Sequence, residues 1–518
     1  MDRVDKVFGK LYAKISADFK LAFISAIIIG LIAHLYMFTN KFPNYDDMGL
    51  SGFGATFRLG RWFLWVLGSV AYHLDYVYSL PWVNGLISLG LLAISAGMVA
   101  DLLKLRNKIG TVIIAGILVA FPSWTATFFF MFTAPYYAVA VFLMTLSVFL
   151  YHKYRYGYIF SVFCIALSVG IYQAYLPFGA TLYVVLLILE VYKKDTKWLS
   201  VLKKAIKNLI VLIIGVVIYY VIMKLSLVVT NQQLADYKGT GQMGNISLTL
   251  VPQMISRMFS DGLGVMFNNN LEISHNLLLK AGYAVLYFID AVILIISCGH
   301  FIKKKEIGRA SMLVLFMIAF FAAVNGIFIM CPSDDAIYVL MTYSYAFLII
   351  LPICMVDRLL CQEGMKVQNL IVGLEYGIVG IASAMVLTYC HFANAQYLSM
   401  QLTYEQATSF YTTLVTQIKS VEGYSDELPI AVVESSSAIE DKTLYRNDVM
   451  NVFDISGRDE VLVETYSREY LLAFYCGFSP EYISMDELPK EVTDAMPVYP
   501  ADGSIQVIDG VIAVKLNE

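Results

Sequence analysis

The stretch YIFSVFCIALSVGIYQAYLPFGATLYVVLLILEV, Tyr158 to Val191, decides how many times this chain crosses a membrane. A hydrocarbon core of about 30 Å takes about 20 apolar residues per helix, so the run is too long for one crossing and short for two. Charge settles the reading. His152, Lys153 and Arg155 precede the run, and Lys193, Lys194, Lys197, Lys203, Lys204 and Lys207 follow it. Basic residues collect on the cytosolic side of membrane proteins, so both flanks share that side and the crossings between them are even in number. Pro177 offers the break for a tight helical hairpin and leaves Tyr172 and Gln173 at its tip.

Outward from this hairpin, nine more apolar runs fall near 21–39, 80–103, 110–131, 135–151, 208–228, 281–301, 310–330, 337–356 and 369–391. With 59% hydrophobic and 15% charged residues, the chain would leave a soluble globule more apolar surface than it could cover. The expected fold is an all-α polytopic membrane protein of about eleven transmembrane helices with its amino terminus inside. Cytosolic segments then hold 22 Lys and Arg against six in the outer loops, an asymmetry that orients the bundle. The outer segments are a first loop at 40–79, the hairpin tip, a long loop at 229–280 and CPSDD at 331–335. No inverted repeat of the carrier kind is visible, and the seven cysteines show no metal or disulfide spacing.

Composition changes after His391. Residues 1–391 carry 29 Lys and Arg against 19 Asp and Glu, and residues 392–518 carry 7 against 21. The second part reads as a small acidic α/β domain: a helix near 400–420, the strand-like LPIAVVE, and the hairpin SIQVIDGVIAVK, whose Asp509-Gly510 suits a type I′ turn. Span parity places this domain outside the cell.

The first outer loop contains NYDDMGLSGFGATFRLGRW, Asn44 to Trp62. Adjacent carboxylates push each other's titrations apart, so of Asp46 and Asp47 one can serve as a general base toward a sugar-attacking hydroxyl while the other binds or tunes. The plainer reading is two solvated acids in a loop. Arg58, Arg61 and Trp62 open an aromatic-rich amphipathic stretch suited to lie along the interface. Guanidinium groups there bind a lipid phosphate bidentately, or simply snorkel to headgroups.

NYDD, GRW at 60–62 and IYQAY at 171–175, in that order and with many spans and a closing extracytoplasmic domain, resemble the membrane-embedded GT-C glycosyltransferases. Within them the chain is most similar to the O-antigen-modifying glucosyltransferases, Gtr type II, over residues 20–395. The resemblance implies a bacterial multi-pass enzyme of the cytoplasmic membrane. It moves a sugar, typically glucose, from a polyprenyl-phosphate donor to a cell-surface glycan on the outer face, inverting, with no nucleotide-sugar site. Asp46 or Asp47 would be its catalytic base. The acidic 392–518 module shows least to match, so acceptor choice is not read from it.

Other residues join as candidates. Lys224 sits near the outer end of its span, placed for a donor phosphate or for snorkelling. Tyr172 and Gln173 suit sugar hydroxyls, or the freed backbone groups of their own turn. Asp334, Asp335 and Tyr338 suit an acceptor; a helix cap is the alternative role for one of the carboxylates. A divalent ion is a further alternative at Asp334 and Asp335, although two carboxylates without further clear ligands make a weak metal case, and no cofactor is indicated. Tyr237 to Gly241 and Arg257 read as a cover over the site, or as plain loop. Asp290 is an intramembrane acid, functional by default unless it faces water. The expected partners are the lipid-linked donor, the glycan acceptor and membrane lipids, with no nucleic acid. The competing class is a transporter or flippase of a lipid-linked glycan, disfavoured because the acids crowd at outer span ends and not at mid-membrane.

Overall fold

The computed structural model describes residues 15–194, 196–235, 251–264, 267, 273–330, 337–362, 367–433, 463 and 465–516. Long helices follow the apolar runs: α1 (Ala17–Thr39), α2 (Trp62–His73), α3 (Pro81–Leu103), α4 (Lys108–Ala120), α5 (Pro122–Phe128), α6 (Ala134–Lys153), α7 (Gly157–Ile171) and α8 (Leu176–Val191). Then come α9 (Trp198–Val229), α10 (Val251–Gly264), α11 (Leu277–Lys303), α12 (Ile307–Val324), α13 (Ile327–Met330), α14 (Phe347–Leu360) and α15 (Gln368–Ser420). Side chains start several of them. Ser16 accepts from Phe19 N at 3.1 Å with Asp18 in the first turn, and Asn107 and Asn276 cap α4 and α11 in the same way.

The protein is a polytopic membrane protein. Among the described residues ten helices are long and apolar enough to cross, against the eleven expected. The difference lies in the quoted hairpin. Its first arm, α7, has 15 residues, roughly 22 Å of helix, short of the hydrocarbon thickness. The break also comes earlier than Pro177. Tyr172 is extended (φ −153°, ψ 118°), and Gln173–Tyr175 form one 3-10 turn. Pro177 instead occupies the first turn of α8, where a missing N–H leaves no helical hydrogen bond unmade.

The chain separates into two compact units, Met1–Asn40 with Gly52–Asn394, and Lys41–Ser51 with Ala395–Glu518. In the first, α1 packs on α3 and α4, α6 on α7, α7 on α9, and α8 on α12, with α14 against α8 and α11. The termini of these helices meet at a lysine- and arginine-rich end. Lys153 pairs with Asp101 at 2.5 Å, Lys108 with Asp18, and Arg106 N donates to Asp357 at 2.9 Å. Buried Arg309 donates to Val191 O at 2.6 Å, so a cation from α12 closes the carbonyl terminus of α8.

The second unit combines the residues of α15 from Ala395 onward with β1 (Ile430–Val433), α16 (Thr465–Tyr475), α17 (Lys490–Ala495), β2 (Ile505–Ile508) and β3 (Val511–Lys515). Its sheet has the order β1-β3-β2: β1 runs parallel to β3, and β2 pairs antiparallel with it. Asp509 and Gly510 both take positive φ (50° and 81°), as a type I′ hairpin demands. The core is formed by Tyr411, Leu414, Ile418, Ile430, Leu471, Ile512 and Val514, and it includes Met48, fully buried. A residue next to the acidic pair is thus an anchor of this core. Met48→Ala should cost about 2–5 kcal/mol by leaving a cavity, and the loss is to be read as a lower thermal midpoint of the purified protein and faster proteolysis within 395–518.

Candidate active site

The GRW element forms a turn that only glycine fits. Gly60 is left-handed (φ 71°), and a Cβ there would stand 2.7 Å from Tyr219 Oη and 3.0 Å from Gln173 Nε2. That closeness comes from hydrogen bonds. Gln173 Nε2 donates to Leu59 O at 2.8 Å and to Tyr219 Oη at 2.9 Å, and Tyr219 in turn donates to Met223 Sδ at 3.4 Å. One amide, buried at 6% exposure, therefore joins the GRW turn, the hairpin break and α9.

Arg61 follows on this platform. Its Nη1 donates to Tyr137 Oη at 3.3 Å, and its guanidinium lies 4.8 Å from the Tyr172 ring centroid. Tyr137 and Tyr172 are stacked, 4.6 Å apart and 9° from parallel, so two rings fix the cation's plane. Arg61 Nε is buried without a hydrogen-bond partner, and among the described residues no ion pair joins Arg61 to a carboxylate. The side chain stands directly before α2, whose first N–H groups add positive potential. Trp62 packs into space that Gly170 leaves: a Cβ on Gly170 would meet the indole at 2.8 Å. The arrangement suits a phosphate or another oxyanion, with charge and donors already in place.

The acidic pair lies in the second unit. Asn44 Oδ1 accepts from Asp46 N and Asp47 N, both at 3.1 Å, and sets the 3-10 turn Tyr45–Asp47. The turn divides the two carboxylates. Asp47 is buried at 3% exposure, and Asp46 is exposed. Tyr466 on α16 donates its hydroxyl to Asp46 Oδ1 at 2.5 Å. Desolvation holds Lys41 below the ordinary lysine range while the Asp47 charge pulls it back up, and burial, with Tyr404 and then Asp47, raises Tyr475. Tyr466 begins an exposed aromatic row with Tyr470 and Phe474, whose rings are 6.1 Å apart and parallel within 1°.

The sequence candidates separate accordingly. Arg61, Tyr172 and Gln173 come together, and Asp46 and Asp47 form a turn in the other unit. Arg58 is exposed, and its carbonyl accepts from Ala235 N at 2.8 Å. Lys224 is exposed over the Tyr220 ring at 5.5 Å, on the helix face beside the one carrying Tyr219 and Met223. Tyr338, half-buried, precedes the 3-10 turn Val339–Met341. Asp334, Asp335 and Tyr237 to Gly241 lie outside the described residues. Arg257 rests over Phe328 at 5.9 Å. Asp290 does not face water: it is buried at 4% exposure, and its Oδ1 has no hydrogen-bond partner among the described residues. Tyr137, Tyr219 and Tyr466 are additions that sequence reading missed. Among 36 tyrosines nothing local marks them; only the i, i+4 pair Tyr219 and Met223 hinted at one helix face. Among the described residues no three His, Cys, Asp or Glu side chains gather as a metal site.

A family model described as Glucosyl transferase GtrII matches residues 35–353, a span that includes both the acidic turn and the arginine platform. No curated protein and no solved structure matches the chain.

Gly60→Ala should distort the platform by forcing a Cβ onto Tyr219 and Gln173 in a left-handed backbone, a cost of about 1–3 kcal/mol. A drop in thermal midpoint, with Leu59→Ala as the milder comparison, checks this.

Proposed function

The chain belongs to the Glucosyl transferase GtrII family, and on that premise we propose that this glycosyltransferase moves glucose from a polyprenyl-phosphate donor to a cell-surface glycan. The reaction takes place on the outer face of the bacterial cytoplasmic membrane. The lysine- and arginine-rich end of the bundle is cytosolic in this reading, supported by the charge asymmetry of the loops. The observation that carries the proposal is Arg61, a guanidinium held by two tyrosine rings at a helix N-terminus with no carboxylate among the described residues paired to it. A cation so placed binds the donor phosphate and stabilises it as it leaves.

Transfer is a single displacement. The acceptor hydroxyl gives its proton to a carboxylate, its oxygen bonds the anomeric carbon, and the bond from that carbon to the phosphate oxygen breaks, inverting the centre. The negative charge gained by the departing polyprenyl phosphate is met by Arg61 and the first N–H groups of α2, with exposed Arg58 adding to the local field. Of the acidic pair, Asp46 is assigned the base, because it is the exposed member and Tyr466 orients its carboxylate; buried Asp47 supports the turn. Tyr470 and Phe474 supply flat apolar faces for acceptor sugar rings.

The two roles are tested separately. Asp46→Asn should lower transfer of labelled glucose from polyprenyl-phosphate glucose by about 10²–10⁴-fold, and unchanged transfer would remove Asp46 from the chemistry. Arg61→Gln should cost about 10²–10³-fold in kcat, with Arg61→Lys in between because it keeps charge and loses the planar fork. A wild-type rate for Arg61→Gln would overturn the phosphate assignment.

A further inference from the structure

The lysine- and arginine-rich end of the first unit holds a second feature, unrelated to the arginine platform. A cavity of about 940 Å³ opens among the C-terminal ends of α3, α6 and α8 and the first halves of α7 and α9. Seven lysines and arginines line it against two carboxylates. Both carboxylates are already engaged, Asp101 by Lys153 and Glu190 by Lys193 and Lys204, each at 2.5 Å. Arg358 pairs with Asp357 outside the cavity at 3.8 Å, and Lys104, Arg155 and Lys207 remain, exposed and without a carboxylate partner among the described residues.

Surface snorkelling explains lysines at a membrane edge, but it does not explain the cavity's wall. Asn208 lines it at 3% exposure, and neither its Oδ1 nor its Nδ2 has a hydrogen-bond partner among the described residues. An amide buried in this way is costly unless a polar guest completes it. The cavity is also not confined to the polar end. Along α9 it continues from Lys207 through Ile210 and Val211 to Ile214, roughly 10 Å of helix, and Ile210 and Ile214 are exposed on the apolar flank. Cations at one end, a buried amide beneath them and an aliphatic wall leading toward the hydrocarbon suit an amphiphile with an anionic head.

We propose that this cavity binds an anionic phospholipid: its phosphate is held by Lys104, Arg155, Lys207 and Asn208, and an acyl chain lies along Ile210 and Ile214. The chemistry recognised is a phosphate, and the aliphatic wall selects the lipid-borne form over the free ion. The site is independent of the donor site and does not depend on the glucosyl-transfer reading.

Native mass spectrometry of the purified full-length protein in detergent, titrated with phosphatidylglycerol, phosphatidylcholine and inorganic phosphate, tests the proposal. Phosphatidylglycerol should stay bound where phosphatidylcholine does not, and millimolar phosphate should not displace it. The triple variant Lys104→Gln, Arg155→Gln, Lys207→Gln leaves the ion pairs of Asp101 and Glu190 intact and should weaken phosphatidylglycerol binding roughly a hundredfold. The control variant Lys303→Gln, Lys304→Gln, Lys305→Gln, at the same end but outside the cavity, should bind as the wild type does. Equal binding of both lipids, displacement by free phosphate, or equal loss in the two variants would each overturn the proposal.

Discussion

A peptide carbonyl that leaves a helix within an apolar slab has no water to turn to, so any break there must bring its own partners. Gln173, at the break between α7 and α8, meets that demand for the turn before Gly60, and it does so by reaching outside its own hairpin. Its amide bonds Leu59 O and Tyr219 Oη, so one side chain secures three separate pieces of chain. Gly60 has no Cβ because the amide and the phenol occupy that space. Arg61 is placed by the same turn and planed by Tyr172, the residue immediately before Gln173. The arginine platform of the first unit therefore rests on a polar bond inside a mainly hydrophobic protein, and the aromatic block behind it, Tyr175 against Tyr343 and Tyr343 stacked on Phe178, packs against the hairpin.

Much of this was legible in the sequence because the membrane imposes length and polarity on helices. Runs of about 20 apolar residues became helices, and the charge on either side of Tyr158–Val191 required a return. The location of the break was less legible. Pro177 is the conspicuous helix breaker, yet a proline in a first turn breaks nothing, and the extended residue is Tyr172. The shortness of α7 had no signal either, since its apolar composition continues without interruption into the turn.

The candidate residues divide on similar lines. Arg61, Tyr172 and Gln173 sit in short motifs that differ from their apolar surroundings, and the fold unites them. Lys224 looked comparable in sequence, but helical periodicity turns it by 100° from Met223, onto the Tyr220 face. The partner of Asp46 was beyond local reading. Tyr466 follows it by 420 residues, and a tyrosine in a polar, acidic segment carries no sign of where its hydroxyl goes.

The membership of Lys41–Ser51 in the unit completed by Ala395–Glu518 has a bearing on biogenesis. Ribosomes deliver the acidic turn early and the helix, sheet and Tyr466 of the same unit several hundred residues later, after the ten apolar helices found among the described residues. Until then Met48 has no core to enter and Asp46 no phenol to orient it. A chain that stops before Ala395 thus carries Asp46 and Asp47 in an unfinished setting, and the acidic turn reaches its folded surroundings only when the segment from Ala395 onward has been made.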